Sequence, residues 1–298
     1  MTAQGKGHLA MLLFSALVAG SFALGVLVAN DMSPAALTTV RFWIATGVIG
    51  AAVLATTGVN RIAMGGLWRF PLLGAIYSSY FVLMFEGLKT APAVSAAAVF
   101  TLTPILSGIF GWLLLRQVTG PRMAIALAIG ATGALWVIFQ ADLNALLAFE
   151  IGRGEAIYFV GCISHAIYIP LLRMFNRGEN ALVFTFGVLI SGSLALTLYS
   201  WSDLTGIEWS EVSWFVWMTI GYLAVFASAA TFVLVQFAAL RLPAAKVMAY
   251  TYLTPSWVIC WELAMGNGVP PSITLVGVGF TVVALLLLLR DEEQPVHA

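Results

Sequence analysis

Charged side chains are scarce in this sequence. Aspartate, glutamate, lysine and arginine make up only 9% of its 298 residues, whereas 61% of the residues are hydrophobic. A soluble protein of this length does not need so much apolar material and could not bury it. The sequence therefore predicts an integral membrane protein, with the lipid bilayer as its solvent.

Cysteine and an excess of either charge sign are also lacking. Thirteen basic and thirteen acidic residues give a formal net charge of zero, so no basic face indicates nucleic acid as a partner. The two cysteines, Cys162 and Cys260, lie inside apolar runs, and we expect small core residues rather than a disulfide.

Motifs for enzymatic chemistry are lacking as well. The sequence contains no phosphate-binding loop, no His and Cys cluster at metal-ligand spacing and no nucleophile with a nearby base. We therefore expect no enzyme activity, no cofactor and no metal. Without an ATP site, primary active transport by this chain alone is excluded.

The apolar residues occur in runs long enough to cross a hydrocarbon core of about 30 Å as helices. Membrane-crossing strands would show short alternating segments instead, so we expect an all-α protein. Ten transmembrane helices are predicted, at residues 8–29, 35–57, 67–88, 92–114, 121–140, 154–175, 180–201, 213–239, 244–264 and 270–289. The first is too long for a secretory signal and has no clear cleavage site, and the loops are too short for a domain outside the membrane.

Lysine and arginine near the span ends predict the orientation, because cytoplasmic loops are enriched in them. With the N-terminus inside, the cytoplasmic side holds Lys6, Arg61, Arg69, Arg116, Arg122, Arg173, Arg177, Arg241, Lys246 and Arg290. The other side holds only Lys89 and Arg153, and Arg41 lies within the second span. Both termini are therefore expected to be cytoplasmic.

One stretch occurs twice, as Pro92–Pro104 and Pro243–Pro255. Each copy begins with Pro-Ala and ends with Leu-Thr-Pro, and the two align without a gap. This duplication predicts a first five-helix repeat, a connector, a second five-helix repeat and a cytoplasmic tail, at residues 1–140, 141–153, 154–290 and 291–298. Because five is odd, the second repeat crosses the membrane upside down. Such inverted repeats are typical of transporters that open alternately around a site near the midplane.

Several short motifs occur together in a familiar order: Pro34 with Arg41-Phe42, the passage from Phe85 to Pro92, and the Leu-Thr-Pro sequences ending at Pro104 and Pro255. In these motifs nearly the whole chain resembles the drug/metabolite transporter superfamily, specifically the ten-helix EamA-type exporters. The resemblance implies export of small metabolites across the inner (plasma) membrane of a bacterial cell. The aromatic-rich second half is most similar to the bacterial aromatic amino acid exporters of the YddG type. The glutamate usual after spans 4 and 9 is missing, at Leu114–Gln117 and Met265–Gly268.

Three prolines inside spans are candidates for gating or for helix kinks: Pro104, Pro170 and Pro255. Each frees the carbonyl four residues earlier, at Phe100, Ala166 or Thr251, because proline has no N–H. In a bilayer, such carbonyls must face protein or a wet cavity. The kink recurs in both repeats, so we favour a cavity-lining or gating role; the alternative is a packing kink.

A helical face in span 9 carries candidate substrate-binding residues. It includes Tyr250, Thr254 and Trp257, and the equivalent face of span 4 includes Val99 and Thr103. One repeat thus presents aromatic rings where the other presents smaller side chains. A substrate with a flat apolar side chain would suit this wall, because rings stack and also form hydrogen bonds. The alternative is packing of these aromatics between helices or against lipid.

Spans 3 and 6 carry two further candidate faces. The first includes Tyr77, Tyr80 and Met84, and the second includes His165 and Tyr168. An ionisable group inside the membrane is a functional candidate, although His165 could also be a neutral imidazole bonded to a neighbouring helix. Spans 3, 4, 6 and 9 are predicted to line a central cavity.

Arg41 lies about seven residues into span 2. It could attract a substrate carboxylate. It could also pair with Glu86 or Glu262, near the outer ends of their spans, and we favour this structural pair.

These features predict a secondary exporter of small amphipathic metabolites, most of all aromatic and other apolar amino acids, that works by alternating access. Its partners would be an amino-acid-like small molecule and the lipid bilayer, and a monomeric form is compatible with them. Proton coupling stays open, because no acidic pair lies mid-membrane. Two alternatives stay open: an exporter of cationic drugs or another metabolite class, and a membrane scaffold or sensor that moves no solute.

Overall fold

The computed structural model describes residues 3–58, 66–118, 120–139, 151–268 and 270–290, together with residues 142, 144 and 147. Within these ranges the regular structure is helical throughout, and the all-α prediction is confirmed for them. The elements are α1 (Ala3–Ala23), α2 (Gly25–Val28), α3 (Pro34–Thr56), α4 (Arg69–Leu88), α5 (Ala93–Phe100), α6 (Thr103–Leu115), α7 (Pro121–Ile138), α8 (Arg153–Phe175), α9 (Ala181–Tyr199), α10 (Trp201–Gly206), α11 (Trp214–Ala224), a π-helix (Val225–Ala230), α12 (Thr231–Ala239), α13 (Ala244–Ala249), a 3-10 turn (Tyr250–Leu253), α14 (Thr254–Ala264) and α15 (Ser272–Arg290). Arg61, most of the predicted connector 141–153 and the tail 291–298 lie outside the described residues.

Nine helical segments in the described part of the chain are long and apolar enough to cross a membrane. They correspond to predicted spans 1–8 and 10. The prediction of a multi-pass membrane protein is confirmed. The predicted ninth span, 244–264, is also helical, but it is divided into α13, the 3-10 turn and α14, and it is not among the nine.

Both copies of the repeated stretch are interrupted at the same place. In the first copy α5 ends at Phe100 and α6 begins at Thr103, and in the second the turn Tyr250–Leu253 separates α13 from α14. Pro104 and Pro255 each lie in the first turn of the following helix. A missing N–H is harmless there, whereas mid-helix it would break the hydrogen-bond ladder. Spans 4 and 9 are therefore both interrupted just before their Leu-Thr-Pro proline, whereas Pro170 lies inside the continuous helix α8.

The carbonyls that the three prolines release are all engaged. The Phe100 carbonyl accepts a hydrogen bond from Thr103 Oγ1 at 2.7 Å, and the Ala166 carbonyl accepts one from Ser107 Oγ at 3.3 Å. The Thr251 carbonyl accepts from the backbone N–H at the start of α14. These carbonyls are bonded within the protein rather than left open toward a cavity, and the gating role of the prolines stays a prediction.

Helix α4 lies between α8 and α9 and approaches both through glycine. A Cβ on Gly74 would lie 2.6 Å from the backbone nitrogen of Gly192 in α9, and one on Gly87 would lie 2.7 Å from the carbonyl oxygen of Gly154 in α8. Small residues allow such close approach of membrane helices, where dispersion contacts rather than water exclusion stabilise association. The position of α4, which carries Tyr77, is therefore fixed on two sides.

Helices α7 and α15 pack on each other at the edge of the bundle. Gly133 and Gly277 face each other, since a Cβ on Gly133 would lie 2.5 Å from the Gly277 carbonyl oxygen. These two segments are the least buried of the nine, and their exposed side chains are mostly leucine, isoleucine and valine. Spans 5 and 10 therefore lie at the periphery of the bundle.

A buried ion pair fixes the start of α4. Arg69 is paired with Glu179 in the loop between α8 and α9, and both side chains are almost fully buried. The backbone N–H of Arg177 also donates to Glu179 Oε2, at 2.7 Å. Burial alone would raise the pKa of the Glu179 carboxyl, but the hydrogen bonds from Arg69 and Arg177 hold that pKa below its ordinary value. The loop and α4 are thus joined by a charged contact.

Candidate functional site

Aromatic side chains from three spans meet inside the bundle. The rings of Tyr77 in α4 and Tyr168 in α8 are stacked, with centroids 4.1 Å apart and planes 3° apart. Phe232 in α12 lies against Tyr77 at 4.3 Å, and Phe81 lies 5.3 Å from Tyr77. Tyr80 lies 4.6 Å from Phe81, and none of the five side chains is more than 4% exposed. We call Tyr77, Tyr80, Phe81, Tyr168 and Phe232 the ring cluster.

His165 borders the ring cluster. Its ring centroid lies 4.4 Å from that of Tyr80 and 5.4 Å from that of Tyr77. The side chain is buried, and its Nδ1 has no hydrogen-bond partner among the described residues. Nδ1 thus makes no bond to a neighbouring helix in the described part of the chain, and the role of His165 stays a prediction. Four sequence-predicted residues, Tyr77, Tyr80, His165 and Tyr168, are brought together because α4 packs along α8.

A tyrosine pair extends the cluster toward α1. The hydroxyls of Tyr80 and Tyr158 lie 3.1 Å apart, within hydrogen-bonding distance, and both residues are buried. Phe22 and Phe100 pack around Tyr158, with centroids 5.8 Å and 6.4 Å from it. Buried tyrosine hydroxyls need a partner, and this pair supplies one.

Arg41 projects from α3 against the ring cluster and is fully buried. Its guanidinium carbon lies 4.1 Å above the Phe81 ring centroid. Its Nε donates to Ser228 Oγ at 2.5 Å and its Nη2 donates to the Ala227 carbonyl at 2.7 Å. Its Nη1 has no partner among the described residues.

The prediction that Arg41 pairs with Glu86 or Glu262 is wrong. Glu86 is paired with Lys89, at 2.8 Å, and Glu262 accepts a hydrogen bond from Asn267, at 2.8 Å. The error arose because Arg41 reaches sideways to span 8 instead of toward the span ends. The direction in which a side chain leaves its helix cannot be predicted from the sequence alone.

The groups that hold Arg41 belong to the π-helix Val225–Ala230. A π turn holds one more residue than an α turn and is often found at functional sites. Here it presents the Ala227 carbonyl and the Ser228 hydroxyl to the guanidinium. The sequence signal is a run of small residues, 227–230, which also suits an ordinary close-packed α-helix. The π-helix was therefore not predicted.

Gln236 follows on the same side of span 8. Ser228, Phe232 and Gln236 are spaced by four residues, which places them along one helical face. Gln236 is buried, and both its Oε1 and its Nε2 lack a hydrogen-bond partner in the described part of the chain. Most buried polar groups are paired, so an unpaired amide in an apolar span makes Gln236 a candidate site residue. A lone glutamine in a run of apolar residues was the available signal.

The predicted face of span 9 packs against α1 and span 8. Tyr250 has its hydroxyl 3.0 Å from His8 Nδ1, and Trp257 Nε1 donates to Ser15 Oγ at 3.2 Å. Trp257 is 36% exposed. Among the residues the structure describes, neither Tyr250 nor Trp257 makes a ring contact with the ring cluster. The face therefore contacts α1 in this structure, and whether it also contacts a substrate stays a prediction.

The remaining predicted residues, Met84, Val99, Thr103 and Thr254, are all buried. Thr103 Oγ1 lies 3.3 Å from Thr251 Oγ1, so the two copies of the repeated stretch touch where their helices are interrupted. Thr254 is buried with its hydroxyl unpaired among the described residues, and Met84 and Val99 are buried in the apolar core. Whether these residues contact a substrate stays a prediction.

An apolar groove of about 540 Å³ lies elsewhere, between α6 and α7. Ile109, Trp112 and Leu127 are part of its lining, and two of these, Ile109 and Trp112, are exposed. The groove contains little polar surface, so it resembles a lipid-facing crevice more than a site for a polar metabolite.

The candidate site therefore combines flat apolar surface with unpaired polar groups. The ring cluster supplies the surface, and Arg41 and His165 lie against its rings with Nη1 and Nδ1 unpaired among the described residues. Gln236, also unpaired there, lies one helical turn beyond Phe232. Small-molecule sites are built in this way, from an apolar lining with a few polar groups that fix orientation. Within the described ranges no three His, Cys, Asp or Glu residues are grouped as metal ligands.

Comparison with known proteins agrees with this membrane architecture. The chain is 24% identical over 262 residues, 87% of its length, to the "Uncharacterized transporter YyaM" of Bacillus subtilis (strain 168), of which 86% is covered. It also resembles a protein of known crystal structure with a TM-score of 0.73, over 96% of this chain and 95% of the other, and at 19% identity this likeness concerns the fold alone. The model of the EamA-like transporter family matches residues 5–139 and again residues 152–290. These two matches span most of the sequence, and the chain belongs to the EamA-like transporter family.

Proposed function

We propose that this protein is a secondary transporter that exports small amphipathic metabolites, above all aromatic and other apolar amino acids, by alternating access. One observation carries the substrate class: the buried ring cluster is bordered by polar groups that have no partner among the described residues. Flat apolar rings suit an aromatic or aliphatic side chain. Unpaired hydrogen-bonding groups suit the amino and carboxyl ends, which need partners in a medium of low dielectric.

The charges near the site favour a substrate with an anionic group over a cationic drug. Arg41 places a buried positive charge beside Phe81. The buried acidic residues of the described chain, Glu155 and Glu179, lie instead near the ends of spans. Glu155 accepts a hydrogen bond from Ser95 at 2.7 Å, and Glu179 is paired with Arg69. A cation in the ring cluster would therefore meet repulsion without a compensating carboxylate.

The family matches support the proposed architecture. Two matches of one family model, at 5–139 and 152–290, are what a duplicated chain would give. With ten spans, the broken helix 244–264 being the ninth, the repeats would have opposite orientations and both termini would be cytoplasmic. Export from a bacterial cell across its inner membrane, as in aromatic amino acid exporters of the YddG type, follows as part of the same proposal.

In the proposed cycle, the stacking of Tyr77 on Tyr168 corresponds to a closed state. A guest ring between Tyr77 and Tyr168 would need roughly twice their present centroid spacing of 4.1 Å. Substrate entry would thus separate α4 from α8 on the side of the bundle that is open. The interruptions at Pro104 and Pro255 supply two places where a span can bend.

Flux measurement tests the proposal. The purified protein in proteoliposomes would be preloaded with unlabelled substrate, and uptake of labelled phenylalanine, threonine and a sugar nucleotide would be compared. Phenylalanine should enter fastest, because only it fills the ring cluster, and protein-free liposomes give the background. Equal or absent uptake of all three solutes would remove the amino acid proposal, and flux of the sugar nucleotide alone would favour another metabolite class.

A further inference from the structure

Among the residues that the structure describes, no negative charge pairs with Arg41. No carboxylate lies within 4 Å of its guanidinium in the described part of the chain, where the ion pairs are those of Arg69 and Lys89. Two of its nitrogens donate to neutral groups, the Ser228 hydroxyl and the Ala227 carbonyl. Neutral acceptors reduce the cost of burying a cation but do not cancel its charge.

The donor of Arg41 that is unpaired among the described residues, Nη1, lies beside the ring cluster. Nε and Nη2 point to the π-helix, so Nη1 is the nitrogen left for another acceptor. Phe81 covers one face of the guanidinium, at 4.1 Å, and the same ring lies 5.3 Å from Tyr77 and 5.6 Å from Phe232. An acceptor at Nη1 would therefore belong to a molecule whose apolar part can rest on the ring cluster.

The chemistry favours a carboxylate for this acceptor. A carboxylate carries one negative charge, which one guanidinium neutralises, and it forms short charge-assisted hydrogen bonds with arginine. A phosphate dianion would leave excess charge in an apolar site. A chloride ion could neutralise the charge, but it would make no use of the rings that surround Arg41.

We propose that Arg41, held by the π-helix Val225–Ala230, is the residue that binds the carboxylate of the transported molecule, so that the site requires a monoanionic carboxylate attached to an apolar body. The inference rests on the proposed function for the location of the transport site. It adds a requirement that the proposed function does not contain. Removing the carboxylate from a ligand should weaken binding even when its ring and amine are unchanged.

A ligand series on the wild-type protein tests this requirement without any variant. Binding to the purified full-length chain would be measured for L-phenylalanine, its methyl ester, phenethylamine and 3-phenylpropionate. We expect the two carboxylates to bind at least tenfold more tightly than the ester and the amine. Equal affinities for L-phenylalanine and its methyl ester would overturn the inference, and so would competition by inorganic phosphate or chloride as strong as that by 3-phenylpropionate.

Variants then locate the effect. Arg41→Gln should reduce the affinity for 3-phenylpropionate at least tenfold, and Arg41→Lys should retain part of it because the charge remains. Arg153→Gln, which removes an exposed arginine from the start of α8, is the matched control and should bind like the wild type. Should Arg41→Gln fail to fold, the pair Arg41→Lys and Ser228→Ala keeps the test, since loss of the Nε contact should also weaken carboxylate binding. Unchanged affinity in folded Arg41 variants would overturn the assignment.

The outcomes separate this inference from the proposed function. If 3-phenylpropionate binds through Arg41 and is transported while no amino acid moves across the membrane, the inference stands and amino acid export falls. If phenylalanine and its methyl ester are transported at the same rate, export of amphipathic molecules stands and the carboxylate requirement falls. Binding of none of the carboxylates overturns the inference directly.

Discussion

Replacing Gly74 by alanine tests the packing that positions the ring cluster. The added Cβ would lie 2.6 Å from the Gly192 nitrogen and 2.9 Å from the Val188 carbonyl oxygen, both backbone atoms of α9. Ordinary contact begins at 3.4 Å, so the nitrogen is too close by about 0.8 Å. A side chain could rotate away, but a backbone cannot, so α4 and α9 must move apart. Tyr77, one turn further along α4, would move with the helix.

The expected cost of Gly74→Ala follows from overpacking. One methyl group forced into a well-packed site destabilises by about 1–3 kcal/mol. At roughly 2–4 °C per kcal/mol for a chain of this size, the melting temperature in detergent should fall on the order of 2–12 °C. Tryptophan fluorescence during heating would measure the transition, at one scan rate because membrane proteins often unfold irreversibly.

A second glycine provides the matched control. Gly47 lies within helix α3, and an added Cβ there would meet nothing within 4 Å. Gly47→Ala should therefore leave the melting temperature unchanged or slightly raised, because alanine favours the helix. An equal fall in melting temperature for Gly74→Ala and Gly47→Ala would contradict this prediction. The effect would then come from removing a glycine and not from the contact between α4 and α9.

Three further predictions follow from individual contacts. Tyr80→Phe and Tyr158→Phe should each lower the unfolding free energy by about 1 kcal/mol. The double variant should lose less unfolding free energy than the sum of the two single losses, because both variants remove the same hydrogen bond. Strict additivity in this double-mutant cycle would show that the two hydroxyls do not bond. Glu179→Gln should melt at a lower temperature than the wild type at neutral pH, and this difference should vanish in acid. Because the pKa of Glu179 is lowered in the folded state, its carboxylate stabilises the fold above the ordinary glutamate pKa of about 4.3. That stabilisation is lost as the pH falls through the lowered pKa. Pro255→Ala should slow substrate counterflow several-fold with unchanged equilibrium binding, because an unbroken helix bends less; unchanged flux would remove this proline from gating.

The helices could be predicted from the sequence because each crossing needs about 20 apolar residues, and such runs are visible without any tertiary information. The faces of spans 3 and 6 were also predictable. Tyr77 and Tyr80 share one helical face, His165 and Tyr168 share another, and these faces meet because α4 and α8 pack closely through Gly87. Polar or aromatic side chains at helical spacing were therefore sufficient to predict three of the five residues of the ring cluster.

The rest of the site depends on how each helix is rotated toward its neighbours, and the spacing of residues along one helix does not predict that rotation. The face of span 9 that carries Trp257 has the same aromatic spacing as a pocket wall, but the rotation of the broken helix turns it toward Ser15 in α1. The partner of Arg41 is a π-helix, and a run of small residues does not distinguish that geometry from an α-helix. Phe232 and Gln236 were missed because their roles depend on span 8 lying beside α4, which no local pattern predicts.

Photolabelling tests the central claim most directly, because it reports both the substrate class and the place where the substrate binds. The wild-type protein in proteoliposomes would be irradiated with p-azidophenylalanine, and the labelled peptides would be mapped by mass spectrometry. Labels are expected near Tyr77, Tyr168 or Phe232, and excess L-phenylalanine or 3-phenylpropionate, but not phenethylamine, should abolish them. Labels confined to the face of span 9 around Trp257, or to the lipid-facing groove at Trp112, would contradict the central claim.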